Sequence, residues 1–496
     1  MLLLQSRFII QFVNYLIMRT NIFIPYLFAA ATLVACGDDD SCSNDPEIYA
    51  PRIKSVFPSD GSADVAQDSK VYVLYDRDVK FYAGPNNNIT VNGENAKWTI
   101  KGDTLFIDVA IKANTIYNIS VPDRTIYVVA NDIEFFANSV NFTFSSYKVD
   151  SKIPETAINS ANPAVQKLYK FLYDNYGKKT ISGSMANVSV EQSEAALVKA
   201  ATGKTPLMQT FDFCFVTLTA DRSTWEQNSI YQDITYYKNL WQQGGIVSAC
   251  WHLNVPTQEA YAAKDEVNDQ NKAWGAQVYF SAKNAVTDGT WENDFIKFSF
   301  DKAAEVLLKY KAEGIPVVWR PFHEGSGNAT ISGKDSDAWF WWGKDGAEAY
   351  KKLWVYMFDY FKAKGLDNLI WVWTTQIGVG SDGSENWYCK DDSNWYPGDE
   401  YVDIVCRDNY NKAKASASVT EFETIQRFWG NKMIALGENG NIAKISEIFD
   451  LGGKYSYFMP WYTYNLADLD KSDHANLSWW QDAAQCDDVI FLEDLK

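Results

Sequence analysis

Val317-Val318-Trp319-Arg320-Pro321-Phe322-His323-Glu324 is an apolar run that ends in a guanidinium, a proline, an imidazole and a carboxylate. Continuous Val and aromatic residues read as a strand buried on both faces, so polar groups gathered at its C-terminal end must emerge from a core into a cleft. A parallel α/β barrel keeps its chemistry at that end of its strands. The chain has only three histidines, and His323 directly precedes Glu324. A lone buried glutamate fits a structural arginine pair as well as it fits chemistry, so Glu324 calls for a partner.

Outward from this run the pattern is strand then helix, repeated. Strand character recurs over Thr180 to Met185, Pro206 to Phe213, Gly245 to Leu253, Pro316 to Glu324, Leu369 to Gln376, Val402 to Tyr410, Met433 to Asn439 and Tyr455 to Tyr462. Between them, Ser229 to Gln243, Asp294 to Ala312 and Ala347 to Lys364 carry apolar residues at three-and-four spacing, which predicts helices. The connection after the fifth strand, Ile377 to Glu400, reads mostly as loop. Eight alternations predict an α/β fold, a (β/α)8 TIM barrel, over 163–496.

The strand ends supply Asp212, His252 and Asn254, then Arg320, His323 and Glu324, then Asp408 and Tyr410, Glu438, and finally Trp461 and Tyr462. Glu438 is the partner sought, since the short run Ile434-Ala435-Leu436-Gly437 aims it at the same mouth. Two carboxylates at the ends of strands four and seven, if about 5–5.5 Å apart, make the pair of a retaining glycosidase. Glu324, under aromatic cover, is the expected acid, because desolvation raises a carboxyl pKa. Glu438, near Tyr410 and cationic donors, is the expected nucleophile. No metal or other cofactor is needed for that chemistry.

At this point the residues carry a resemblance. Trp319-Arg320-Pro321-Phe322-His323-Glu324 followed by Trp339-Phe340-Trp341-Trp342-Gly343 resembles the acid/base signature of glycoside hydrolase family 26. So do Trp251-His252-Leu253-Asn254-Val255-Pro256, the segment Tyr396 to Val405, Asp408-Asn409-Tyr410 and the stretch around Glu438. Members of that family are mostly β-1,4-mannanases. The resemblance implies Glu324 as acid/base, Glu438 as nucleophile and His323 as an orienting group. It implies His252 against the sugar at or next to the cleaved bond, Tyr410 on the nucleophile and Trp461 as a sugar platform, with Asn254, Arg320, Trp339, Asp408 and Tyr462 completing the substrate site. Three departures stand out: a polar insertion from Gly325 to Ala338, Tyr462 where several relatives place a sugar-binding arginine, and Gly183-Ser184-Met185 after the first strand.

Before the barrel, Pro51 to about Ser146 shows short alternating strands, with turns at Asn92-Gly93 and Lys101-Gly102-Asp103, and reads as a β-sandwich over 51–147. Its opening, Ser55 to Val65, resembles bacterial immunoglobulin-like modules, for which a spacer role is expected ahead of the alternative, carbohydrate binding. Residues 148–162 form a linker. The N-terminus, 1–35, has Arg19, an apolar run from Ile22 and Leu33-Val34-Ala35-Cys36, the shape of an export signal. Its end resembles a lipobox, with Cys36 as the lipidated residue, and the acidic tether 36–50 resembles the surface-export signal of Bacteroides-type lipoproteins. The expected location is the outer membrane, through a lipid anchor, facing outward.

Nineteen Trp and 29 Tyr exceed what packing requires and favour a surface that stacks on ligands. A net charge of -18 argues against a basic phosphate-binding footprint and is compatible with a neutral polysaccharide as the expected partner, with no nucleic acid. The remaining cysteines lack CxxC or Cys/His spacing, and Cys214, Cys250 and Cys406 read as buried thiols. The expectation is a monomeric retaining glycoside hydrolase acting on mannan, galactomannan or glucomannan. Its rivals are the same chemistry on mixed-linkage glucan or xylan, and a lipoprotein that captures glycan without cleaving it.

Overall fold

The computed structural model describes residues 46–66, 69–84, 87–112, 115–147, 152–187, 190–218, 228–262, 271–273, 278–380, 387–464 and 468–495. The export segment, Cys36 and most of the acidic tether lie outside the described residues.

Eight parallel strands form the barrel: β1 (Thr180–Met185), β2 (Met208–Asp212), β3 (Ile246–Trp251), β4 (Val317–Pro321), β5 (Leu369–Thr375), β6 (Ile404–Tyr410), β7 (Met433–Gly440) and β8 (Tyr457–Phe458). Their order is β8-β1-β2-β3-β4-β5-β6-β7. The ring closes between β7 and β8, where Ser456 N donates to Ile434 O at 2.7 Å and Trp461 N to Asn439 O at 2.9 Å. Every residue of β1 to β5 is buried, which is why β3 to β5 read as largely apolar runs.

The outer layer comprises α1 (Pro163–Asn175), α2 (Ser193–Thr202), α3 (Thr235–Gln242), α4 (Trp291–Ala312), α5 (Ala347–Ala363), α6 (Ala415–Trp429), α7 (Ile445–Asp450) and α8 (Leu477–Gln485). Local chemistry sets their starts: the Asn162 side chain accepts from Ala164 N ahead of Pro163, and Thr290 accepts from Asn293 N. Between β5 and β6 the described residues form a hairpin, Gly378–Val379 with Trp387–Cys389, and two short 3-10 turns, Ser393–Trp395 and Asp399–Tyr401, with no α-helix. The N-terminal α1 packs against β5 instead. Its approach is fixed by Asn162 Nδ2 donating to Asp367 Oδ1 at 3.1 Å and Ile158 N to Asp403 Oδ1 at 3.1 Å. A helix from before the barrel thus covers the flank that the loop-like connection leaves open.

The expected fourth strand runs to Glu324, but β4 stops at Pro321. Phe322 and Glu324 have φ values of 45° and 53°, left-handed conformations that no strand accommodates. Buried donors secure this turn: Tyr350 Oη donates to Phe322 O at 2.9 Å and Trp342 Nε1 to His323 O at 2.9 Å. Likewise the eighth strand is shorter than Tyr455 to Tyr462, because beyond Phe458 the chain leaves β1 for single contacts with β7. Helix α3 starts at Thr235, since residues Asn228–Tyr231 form a separate 3-10 turn.

Residues 53–146 form a small all-β unit around its own apolar core, which includes Val73, Leu105, Ile119 and Phe144. One sheet joins Ile53–Phe57, Val71–Tyr75, Thr104–Ile107 and Trp98–Lys101, and another centres on Val140–Ser146 and Ile116–Val121. The hairpin Ile126–Ala130 with Ile133–Phe136 was not anticipated, because its alternation is blurred by exposed Val129 and Ile133. Asn92 and Gly102 take positive φ at the expected turns.

Candidate active site

Three strand ends converge on Glu438. Its Oε1 accepts from Arg320 Nη2, and its Oε2 accepts from Tyr410 Oη at 2.7 Å. Arg320 Nη1 in turn donates to Asp408 Oδ2 at 2.8 Å. The guanidinium therefore bridges two carboxylates, β4 to β6 and β7, with only 4% of its side chain exposed. Gly437 makes room for this: a Cβ there would lie 2.5 Å from Cys406 Sγ, 2.8 Å from Asp408 Oδ1 and 3.2 Å from Arg320 Cδ. Arg320 and Asp408, expected to touch substrate, are instead buried against each other, because an unpaired charge at that depth is unfavourable. The Asp408 side chain is linked to Glu438 only through the Arg320 guanidinium.

Glu324 stands at the turn after β4, partly open to the mouth. Burial, followed by the nearby charges of Asp408 and Glu438, holds its carboxyl well above the usual range, against the opposing pull of Arg407 and Arg320. Asp408 is raised too, chiefly by burial. The surroundings thus favour the protonated form of Glu324, while Glu438 accepts hydrogen bonds from two donors.

The two site histidines form a chain. Asp212 takes two hydrogen bonds from His252, from the backbone N at 2.9 Å and at Nδ1 at 2.6 Å. His252 Nε2 lies 3.1 Å from His323 Nε2, which lies 3.8 Å from Glu438 Oε1. Burial disfavours charge on His252, but Asp212 outweighs it and raises the imidazole. Burial and the positive neighbours His252 and Arg320 push His323 well below its ordinary value, leaving it neutral. Asp212 was legible at the end of β2; its grip on His252 was not. The groups Asp212–Cys250–His252 and His252–His323–Glu438 each bring ligand-type atoms within 4.8 Å. Those atoms are largely committed to the hydrogen bonds just described.

Aromatic residues wall the mouth. Trp461 meets His252 edge-on at 5.6 Å, and Tyr462 lies 5.5 Å from Trp461. Phe340 stacks on Trp342 at 4.3 Å and covers His323 at 5.0 Å. Trp341 Nε1 donates to Leu253 O at 2.8 Å, so the cluster after the insertion also holds the end of β3. Asn254, half-exposed there, donates to Cys214 O at 2.8 Å. Cys214 is partly exposed, not buried as expected, because it sits past the end of β2. Trp339 lines the insertion side, 6.4 Å from Tyr388.

Two supporting acids escaped the sequence reading. Asp392, fully buried, accepts from Thr375 Oγ1 at 2.6 Å, Gln376 N at 2.7 Å and Ser326 Oγ at 2.8 Å. It ties the segment after Glu324 to the end of β5. Glu421 on α6 accepts from Val379 N at 2.9 Å and sits beside Arg407. Neither lies at a strand end, so position alone gave no signal.

Comparison with known proteins accords with this geometry. The family model described as Glycosyl hydrolase family 26 matches residues 158–481. A mannan endo-1,4-beta-mannosidase B from Piromyces sp is 32% identical over 409 residues, 78% of this chain and 63% of that protein. The chain spans 46% of a second Piromyces mannosidase, A, at 32% identity over 63% of its own length. Among solved structures, the family 26 domain of an endo-beta-mannanase/endo-beta-glucanase from Prevotella bryantii matches with a TM-score of 0.61 and 37% identity, covering 69% of this chain and 100% of that one. The chain belongs to glycosyl hydrolase family 26.

Proposed function

We propose that this protein hydrolyses β-1,4-mannosidic bonds in mannan, galactomannan or glucomannan with retention of configuration. The observation that carries the reading is the opposite treatment of two carboxylates at one mouth. Glu438 accepts from Arg320 and Tyr410, while burial and neighbouring charge hold the Glu324 carboxyl well above its usual range. The names of the relatives, mannan endo-1,4-beta-mannosidases, supply the substrate class.

In the first step a Glu438 oxygen attacks the anomeric carbon, the glycosidic C–O bond breaks, and Glu324 gives its proton to the departing oxygen. In the second, Glu324 takes a proton from water, whose oxygen attacks the same carbon and releases Glu438 as a carboxylate. Tyr410 and Arg320 hold the nucleophile in line. His252 and Trp461 offer an imidazole edge and an indole to the sugar in the reactive position, and Tyr462 extends that wall.

The test is activity of Glu324→Ala and Glu438→Ala on galactomannan and glucomannan, with mixed-linkage glucan and xylan beside them. Loss of about 10²-fold or more in each variant is expected, and retained β-anomeric product in the wild type. Full activity in either variant removes the assignment; binding without new reducing ends would indicate a capture protein.

The reading extends to location. Leu33-Val34-Ala35-Cys36 and the acidic run Asp38-Asp39-Asp40 support an outer-membrane lipoprotein anchored through Cys36, with the body outside the cell. The β unit serves as an immunoglobulin-like spacer. Tyr117 Oη, which donates to Ala110 O at 2.9 Å and accepts from Lys112 N at 2.7 Å, makes a tyrosine corner of the kind found in such sandwiches. Palmitate labelling lost in Cys36→Ala, with release from membranes, is the expected result.

A further inference from the structure

The Trp461–Tyr462 wall is held from behind by a single peptide link. Trp461, whose indole meets His252 edge-on at 5.6 Å, is fixed at its own amide, which donates to Asn439 O of β7 at 2.9 Å. Just beyond it, both polar groups of the Tyr462–Thr463 peptide are taken by side chains from outside the barrel sheet. Thr463 is fully buried, so its N–H must be satisfied within the protein. It donates to Glu194 Oε2 at 3.0 Å, from the first turn of α2. On the other edge His474 Nδ1, from the segment before α8, lies 3.0 Å from Tyr462 O. A carbonyl oxygen only accepts, so His474 carries its hydrogen on Nδ1. The N–H and C=O of a trans peptide point in opposite directions, and the two side chains therefore grip one plane from its two edges.

Glu194 is fully buried, and burial raises its carboxyl to about 7 against the pull of Thr463 N and the Trp480 indole. A carboxyl at that depth without a cation beside it is costly, and its tie to Thr463 offsets part of the cost. His474, the third histidine of the chain, also meets Tyr410 edge-on at 5.9 Å. Gly440 lets the two rings close up, since a Cβ there would lie 2.6 Å from His474 Cδ2 and 2.8 Å from Tyr410 Cδ1. His474 thus stands between the tyrosine bonded to Glu438 and the backbone of the aromatic wall. We propose that Glu194 and His474 are positioning residues for hydrolysis, which together fix the Tyr462–Thr463 peptide and so set the Trp461–Tyr462 wall against the sugar. The inference rests on the proposed function, in which that wall faces the sugar in the reactive position. A loop free to turn at this peptide has to be ordered when sugar binds, and that ordering subtracts from affinity. The consequence of releasing it falls on KM more than on kcat.

The experiment measures glucomannan hydrolysis and melting for Glu194→Met, His474→Ala and the double variant. Glu194→Gln and His474→Asn serve as conservative replacements, which keep an acceptor for Thr463 N and a donor for Tyr462 O. At a temperature where every variant is folded, kcat/KM should fall about ten-fold in each of the first two, the scale of one lost hydrogen bond, with most of the fall in KM. Because both side chains grip one peptide, the double variant should lose little more than either single one. Glu194→Gln and His474→Asn should leave KM close to that of the wild type. Unchanged KM in folded Glu194→Met and His474→Ala, losses that multiply in the double variant, or conservative variants as impaired as the others overturn the inference. If Glu194→Met does not fold, His474→Ala against His474→Asn carries the same comparison. If the wild type hydrolyses no mannan, the functional reading fails separately; calorimetry with mannohexaose then decides, weaker binding in the variants supporting the clamp and equal or absent binding overturning it.

Discussion

Arg320 and Glu438 form a buried ion pair across the barrel mouth, and the same guanidinium holds Asp408 at 2.8 Å. One cation from β4 thus fixes two acids from β6 and β7. Such a bridge is costly to break, since removing the cation leaves two carboxylates buried together.

Arg320→Met should therefore damage both catalysis and folding. The expected loss is about 10²–10³-fold in kcat/KM, as for removal of one preorganised donor, and about 3–5 kcal/mol of stability. Steady-state kinetics on glucomannan and urea unfolding measure the two; an unchanged kcat/KM would deny Arg320 its hold on the nucleophile.

The pH profile should carry the signature of Glu324. If Glu324 is the proton donor, as proposed, activity needs it protonated, and its raised pKa sets the alkaline limb of kcat/KM above the ordinary carboxyl range. Burial is the larger cause, and the Asp408 charge adds to it. Asp408→Asn removes that charge, lowers the Glu324 pKa and moves the alkaline limb to lower pH. A limb that stays in place would show that Asp408 does not act on the proton donor.

The Asp212–His252 pair should appear in stability against pH. Asp212 raises the folded His252 pKa, so the pair's contribution is complete below the ordinary imidazole value and is lost as pH rises through the raised one. Asp212→Asn should lower stability at acid pH and flatten the slope across that window, seen by denaturant titration at several pH values. Identical slopes for variant and wild type would contradict the linkage.

Tyr350→Phe tests the turn that carries Glu324. It removes the donor to Phe322 O and leaves a buried carbonyl unsatisfied, worth about 1–3 kcal/mol. With the left-handed turn loosened, kcat should fall more than KM rises, because the proton donor is misplaced while the sugar walls remain.

Gly437→Ala probes the crowding behind the nucleophile. Its methyl would meet Cys406 Sγ at 2.5 Å and Asp408 Oδ1 at 2.8 Å, so about 1–3 kcal/mol of overpacking is expected, with kcat reduced by displacement of Glu438. A variant with wild-type melting and kcat would mean that the strand end yields freely.

Much of this was legible before folding. A strand buried on both faces is largely apolar, so β3 to β7 show themselves as runs, and the polar residues at the end of each run mark the mouth. Glu324 and Glu438 were visible for that reason. Asp392 and Glu421 were not, because a carboxylate in a loop or on a helix carries no such mark; only the chain's return beside Ser326 or Arg407 gives it a role.

The order of residues alone determined the eight-strand repeat, the two carboxylates and the helixless gap after β5, since each follows from local polarity and spacing. The tertiary structure decided which residue holds which. Arg320 turned from a substrate contact into the clamp on Glu438, β4 ended in a left-handed turn pinned by Tyr350 and Trp342, and the insertion reached Tyr388. Those outcomes depend on distances between residues far apart in the chain, and hydrogen bonds and charges act across space, not along sequence.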